Sequence, residues 1–418
     1  MSQTVEPRST EAPDPNRWRL ETPGVEGWTR TARPDAADKY FMVSSDTHVS
    51  EPADLWKTRI EKRYRDRLPG TILGADGAKF QKTEGFRPIR LRNISFEGED
   101  RERLSAGHTP EQRLADHARD GIDIEVMFPN RGLTIWATPD AEFSQAMCRV
   151  YNDWAWETYG PYSDRMLPMA CLAAADIDGA IAEIQRSAKR GFRGLALPCK
   201  PVWGPHDHEH LNYNLPEFDP LWAAAQDADL PVTFHVSTGR DPRSSRGHGG
   251  AIVNYTVHSL APTMEPVANL CGSGVLDRFP RLRFATIEAG IGWVAWTLAA
   301  MDEAYKKHHM FVRPKLELLP SEYFKRQGFA SFQEDPPGLA SAREFGLVGS
   351  FLWANDYPHH EGTWPHSAQA IERTMGHLSD GERAQILGLN AARLWNLEIP
   401  ERYTNHADTA SAARKISA

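Results

Sequence analysis

Short apolar runs recur from about residue 40 onward, and most are followed by segments whose apolar positions repeat at helical spacing. Parallel strands joined by crossover helices produce this rhythm, because a strand covered on both faces is continuously apolar while the returning helix is amphipathic. The candidate strands are 40–44, 124–129, 167–173, 194–198, 231–235, 282–288, 328–332 and 351–356. They number about eight, the count that closes a (β/α)8 barrel. The helices give the clearer signal: Phe143, Met147, Val150, Tyr151 and Trp154 share one helical face, as do Ile177, Ala180, Ile181 and Ile184. The pattern predicts an α/β fold, a TIM barrel with a long insertion after its first strand.

That insertion, within 51–110, is long and charged, with FEGEDRERLS near its end. An excursion of this size above a barrel suits an active-site lid or an oligomer contact. Residues 1–38 read as an irregular arm, since Pro7, Pro13, Pro15, Pro23 and Pro34 interrupt any helix, although Trp18 and Trp28 could pin it to the body. Residues 39–402 form the predicted catalytic barrel, and 403–418 lack a helical stripe and read as a tail. Internal repeats are absent.

Composition narrows the function classes. A net charge of -8 offers no basic field for a phosphate backbone, so nucleic acid is not expected as a partner. Cys148, Cys171, Cys199 and Cys271 are scattered and form no CxxC pair, which fits reduced thiols. The polar start MSQTVEPRSTEAPDP lacks a signal-peptide core, and no run approaches a membrane span. A cytoplasmic enzyme acting on a small molecule is the expectation.

The chemistry lies where polar residues meet strand ends. SSDTH ends the first strand, FHVSTG places His235 after the fifth, ATIEAG places Glu288 after the sixth, and LWANDYPHH places Asp356 after the eighth. All C-terminal strand ends of a parallel barrel share one rim, so these distant residues converge. Asp46 and His48 are two apart and point to one side of an extended strand. With His235 and Asp356 they make a mixed nitrogen and oxygen donor set for one divalent ion, zinc first, with manganese, iron or cobalt also suited. Such an ion lowers the pKa of its water and polarises a substrate oxygen.

SSDTHVSEP, YNLPEFDPLWAAAQDADLPVTFHVSTG, SGVLDRFPRLRFATIEAGIGW and WANDYPHHEGTWP together resemble the second amidohydrolase family, the metal-dependent barrels that include aminocarboxymuconate-semialdehyde decarboxylase. The resemblance spans roughly residues 40 to 398. It implies that Asp46 and His48 supply the family's first ligand pair, His235 the third ligand and Asp356 the fourth. It also exposes a departure, because the decarboxylases carry histidine where this chain has Glu288. A carboxylate there can act as acid/base, or it can orient a neighbouring histidine. The leading expectation is therefore hydrolysis of a carbonyl-type aromatic or alicyclic substrate, with Glu288 and Asp356 catalytic. The alternative is non-oxidative decarboxylation of an aromatic or unsaturated acid. A third reading, a binding protein that keeps the fold, has no need of the complete ligand set.

Trp136, Trp293, His359 and Arg240 are the candidates for substrate contact, with Arg243 and Arg246 beside Arg240 and His360 beside His359. Asp207-His208-Glu209-His210, preceded by His206, lies in a Pro- and Gly-flanked loop and reads as solvated polar residues rather than a second metal cluster. His308 and His309 follow two lysines late in a helix and read as surface cations. Family analogy adds a homodimer.

Overall fold

A computed structural model of the chain describes residues 15–84, 88–91, 95–201, 212–238, 245 and 247–403. Eight parallel positions make the central sheet: Val43–His48, Ile124–Phe128, a third strand in two pieces (Met166–Pro168 and Ala170–Cys171), Leu195–Leu197, Val232–His235, Phe284–Ile287, Gly328–Phe332 and Phe351–Trp353. Neighbours in this order pair in parallel. The sheet closes where the chain beyond the eighth strand meets the first: Asp356 N donates to Asp46 O at 3.1 Å, and His48 N to Tyr357 O at 2.7 Å. The barrel expected from the eight runs is the observed architecture.

The two helices predicted from spacing form where their ends are chemically set. Asp140 caps Ala141–Tyr159 by accepting from Phe143 N, and Asp176 caps Ile177–Arg190 by accepting from Gly179 N. The second stops at Gly191, whose φ of 107° a side chain would resist. Their apolar stripes pack against the strands, with Phe143, Met147, Tyr151, Ala180 and Ile184 all buried.

Two expectations shift in detail. The first strand was predicted over 40–44 and is observed over Val43–His48, because its ladder continues through SSDTH, every residue of which is buried. Polar residues inside a barrel end an apolar run without ending the strand. The insertion also holds more structure than a charged loop: an antiparallel sheet of Gly70–Leu73, Lys79–Lys82 and Ile89–Arg90, followed by the helix Gly98–Leu104.

Among its described residues, from Pro15 on, the arm has one helical turn, Arg17–Leu20, and lies on the barrel. The Arg383 guanidinium sits 3.8 Å from the centre of the Trp28 ring, and the Arg373 guanidinium 5.3 Å from that of Trp18. Tyr403, first residue of the expected tail, is buried and donates to Asp123 at 2.9 Å. Residues 404–418 lie outside the described residues.

Candidate metal centre

Asp46, His48, His235 and Asp356 are at most 1% exposed and reach the same rim from the first, fifth and eighth strands. Each imidazole is oriented from behind. His48 Nδ1 lies 2.9 Å from the Pro129 carbonyl, and His235 Nδ1 lies 2.9 Å from the Val236 carbonyl. A carbonyl only accepts, so both Nδ1 atoms carry the proton and both Nε2 lone pairs face forward, the tautomer that binds a metal.

The forward-facing atoms gather tightly. His48 Nε2 is 3.6 Å from Asp46 Oδ1, 3.4 Å from Asp356 Oδ1 and 3.7 Å from Glu288 Oε2. His235 Nε2 is 3.4 Å from both Asp46 Oδ1 and Glu288 Oε2. Ligands about 2.1 Å from a tetrahedral ion stand roughly 3.4 Å apart, so these spacings suit a shared cation. The donor atoms fall into two overlapping groups, Asp46, His48, His235 with Glu288, and His48, Glu288, Asp356 with His359.

Both Asp46 carboxylate oxygens and both Nε2 atoms are buried without a hydrogen-bond partner in the protein. Such atoms are costly to bury, and a cation among Asp46, His48, His235 and Glu288 would satisfy most of them, while Asp356 falls in the second group, with His48, Glu288 and His359. The electrostatics agree. Burial, together with Asp356 and Asp46, pushes the Glu288 carboxyl well above the usual range. Burial also raises Asp356, against the pull of His359, to about 6. His48 is driven well below its ordinary value by burial and by the His359 and His235 rings. Crowded buried carboxylates facing a His48 ring that resists protonation are a site that wants positive charge.

Glu288 follows the sixth strand at a φ of 58°, with its backbone N–H donating to Ser331 Oγ at 2.9 Å. Its carboxylate lies as near the imidazoles as the aspartates do. His359, expected on the substrate side, stacks on His48 with centroids 4.0 Å apart, and its Nδ1 lies 3.0 Å from Asp356 Oδ1. Burial opposes its charge, but Asp356 prevails and lifts it to about 9.

The tryptophans are placed differently. Trp136 is buried, its indole N–H held at 2.7 Å by the carbonyl of Leu172 beyond the third strand. Trp293 donates to Ala289 and Gly290 carbonyls, holding the loop after Glu288, and packs partly on the core. Arg240, Arg243, Arg246 and the 206–210 run lie outside the described residues. His308 and His309 are exposed where the helix Val294–Lys307 ends.

Three contributors were missed. Gln333 donates to Asp356 Oδ2 at 2.8 Å and follows the seventh strand directly, so the strand-end rule used for the other residues would have found it. Glu51 accepts from the amides of Asn130, Arg131 and Gly132, fixing the turn that begins at Pro129, whose carbonyl orients His48. Buried Arg113 pairs with Glu125 and donates to the His48 carbonyl at 2.8 Å; Thr47 and His117 complete that network. No periodicity announces such residues, because a buried ion pair on a helix looks like an exposed one in sequence.

A family model described as amidohydrolase matches residues 46–397. A gamma-resorcylate decarboxylase of Rhizobium radiobacter is 24% identical over 294 residues, 66% of this chain and 84% of the relative. Among solved structures, an amidohydrolase of Mycobacterium avium subsp. paratuberculosis superposes with a TM-score of 0.68 at 19% identity, covering 86% of this chain and 99% of that one. A dihydroxybenzoic acid decarboxylase of Polaromonas sp. JS666, with bound manganese and the inhibitor 2-nitroresorcinol, gives 0.60 at 18% identity, covering 87% and 99%.

Proposed function

We propose that this chain, which belongs to the amidohydrolase family, is a metal-dependent, non-oxidative decarboxylase of hydroxylated aromatic carboxylic acids. The observation that carries the reading is the alignment with a decarboxylase over 84% of that relative's length, running through a barrel whose rim gathers the donor set. Hydrolysis was the first expectation because a carboxylate stands at 288; the relatives favour the second.

Asp46, His48, His235 and Asp356 would hold one divalent ion, with zinc, manganese, iron or cobalt suited to two imidazoles and two carboxylates. Bound there, the ion supplies Lewis acidity and an anchor for the substrate carboxylate and a neighbouring hydroxyl. The remaining work belongs to side chains. Glu288, whose carboxylate lies 3.4 Å from His235 Nε2, donates its proton to the ring carbon bearing the carboxylate. That carbon–hydrogen bond forms at the expense of ring aromaticity. The bond to the carboxyl carbon then breaks, its electron pair restores the ring, and carbon dioxide leaves. Glu288, now a carboxylate, takes a proton from solvent for the next turn. His359 and Arg240 are assigned to polar groups of the substrate, Trp136 and Trp293 to the apolar walls. A homodimer accompanies this reading, and light scattering of the purified chain checks it.

The test is incubation of metal-loaded protein with mono- and dihydroxybenzoates, following carbon dioxide and the phenol produced. Equal release of both is expected. Turnover of esters, lactones or amides, with no carbon dioxide from any acid, would overturn the reading in favour of hydrolysis.

A further inference from the structure

The arm at residues 15–38 precedes the segment that matches the family, yet one of its side chains grips the loop that carries Asp356 and His359. Arg19 is 8% exposed. Its Nη1 donates to the Gly362 carbonyl at 2.7 Å, its Nη2 to the His360 carbonyl at 2.9 Å, and its Nε to Asn16 Oδ1 at 3.1 Å. Arg103, fully buried on the insertion helix, donates its Nη1 to the same two carbonyls at 2.9 and 3.3 Å. Two cations thus share two acceptors. Their repulsion is offset on one side by Glu99, 3.0 Å from Arg103.

The gripped carbonyls close a turn that begins at Asp356. His359 N donates to Asp356 O at 2.9 Å, Gly362 N to His359 O at 3.2 Å, and Thr363 N to Asn355 O at 2.9 Å. The turn is so tight that a Cβ on Gly362 would lie 2.4 Å from Asn355 O and 2.8 Å from Asp356 O. A shift at Gly362 is therefore passed to Asp356 and His359. The arm is anchored in return: Arg373 donates to the Arg19 and Glu21 carbonyls at 2.9 and 2.6 Å, and Arg33 binds Glu372 at 2.8 Å.

We propose that Arg19 is a positioning residue of the metal centre, holding the 356–362 turn so that Asp356 and His359 face the other donors. The inference rests on the reading of those two residues as part of the centre. Its test uses the full chain with Arg19→Gln and Arg19→Lys. Hydrogen exchange at His359, Gly362 and Thr363, and manganese affinity by chelator competition, are compared with the parent.

Arg19→Gln should accelerate exchange in the turn by about tenfold or more, since two charge-assisted bonds are lost, while strand amides keep their protection. Manganese affinity should fall several-fold. Arg19→Lys should restore part of both, because a single ammonium reaches one carbonyl where the fork reaches two. A folded Arg19→Gln protein with unchanged exchange in the turn and unchanged manganese affinity overturns the proposal. If Arg19→Gln does not fold, Asn16→Ala, which removes the Nε partner along with the Asn16–Asp100 hydrogen bond, must show a smaller acceleration in the same turn, and its absence is equally fatal. Faster exchange and weaker manganese binding in a protein whose parent decarboxylates nothing would uphold the clamp and reject the proposed reaction.

Discussion

Glu288 and Asp356 both stand in the left-handed backbone region, at φ values of 58° and 52°, each just beyond the end of its strand. For a residue with a Cβ that conformation costs about 1 kcal/mol or more, and here it turns two carboxylates toward the same imidazoles. The barrel holds them against both steric and electrostatic preference, an arrangement that serves a cation better than it serves the metal-free protein.

A change at Glu288 should therefore separate stability from function. In metal-free protein this carboxyl sits well above its ordinary range through burial, Asp356 and Asp46, so the native state binds its proton more tightly than the unfolded chain does. The sign follows: its contribution is harmless below the unfolded pKa of about 4.3 and turns destabilising as pH rises above it. Thermal melts of metal-free Glu288→Gln should exceed those of the parent by a margin that grows from about pH 4 upward, while turnover is lost. A flat margin, or retained turnover, contradicts the acid role.

Gln333 steadies Asp356 through its second oxygen. Gln333→Ala should leave the fold intact and weaken manganese binding by roughly 10–100-fold, as is usual when a group behind a ligand is removed. Asp46→Ala, which deletes a donor outright, should weaken it further. Chelator competition ranks the three proteins, and equal affinity of Gln333→Ala and parent would remove Gln333 from the site.

Arg113 and Glu125 form an ion pair buried beneath the first strand. Arg113→Met strands the Glu125 charge and should cost about 3–5 kcal/mol in urea unfolding, whereas Arg113→Met combined with Glu125→Leu should recover most of that loss. A small cost for the single change would show that His117 alone neutralises Glu125.

Metal removal gives the broadest check. Chelator-treated protein should lose turnover and melt several degrees lower, with manganese at about a hundredfold over its Kd restoring roughly 2.7 kcal/mol. Unaltered melting on manganese addition would argue against a built cation site.

Much of this was legible in the sequence because barrel strands are short apolar runs and their polar ends share one rim. Asp46, His48, His235, Glu288 and Asp356 all stood at such ends. The boundaries of the first strand were not legible, since SSDTH is polar and yet wholly buried. The stacking of His359 on His48 was not legible either, because sequence distance says nothing of which rings meet. The insertion's sheet escaped because its strands are exposed or only half-buried and carry little apolar alternation. Arg19 and Arg103 bind carbonyl oxygens, which every residue possesses, so no side-chain pattern could announce them.

The hydrogen bonds between Asp46 and Asp356 and between His48 and Tyr357 are also the seam that shuts the cylinder. A nascent chain emerging from the ribosome holds the first strand long before the eighth is made, so early fragments offer only part of the donor set. Asp356 is therefore the last of the four proposed ligands to be synthesised, and it takes its place in the same step that shuts the cylinder.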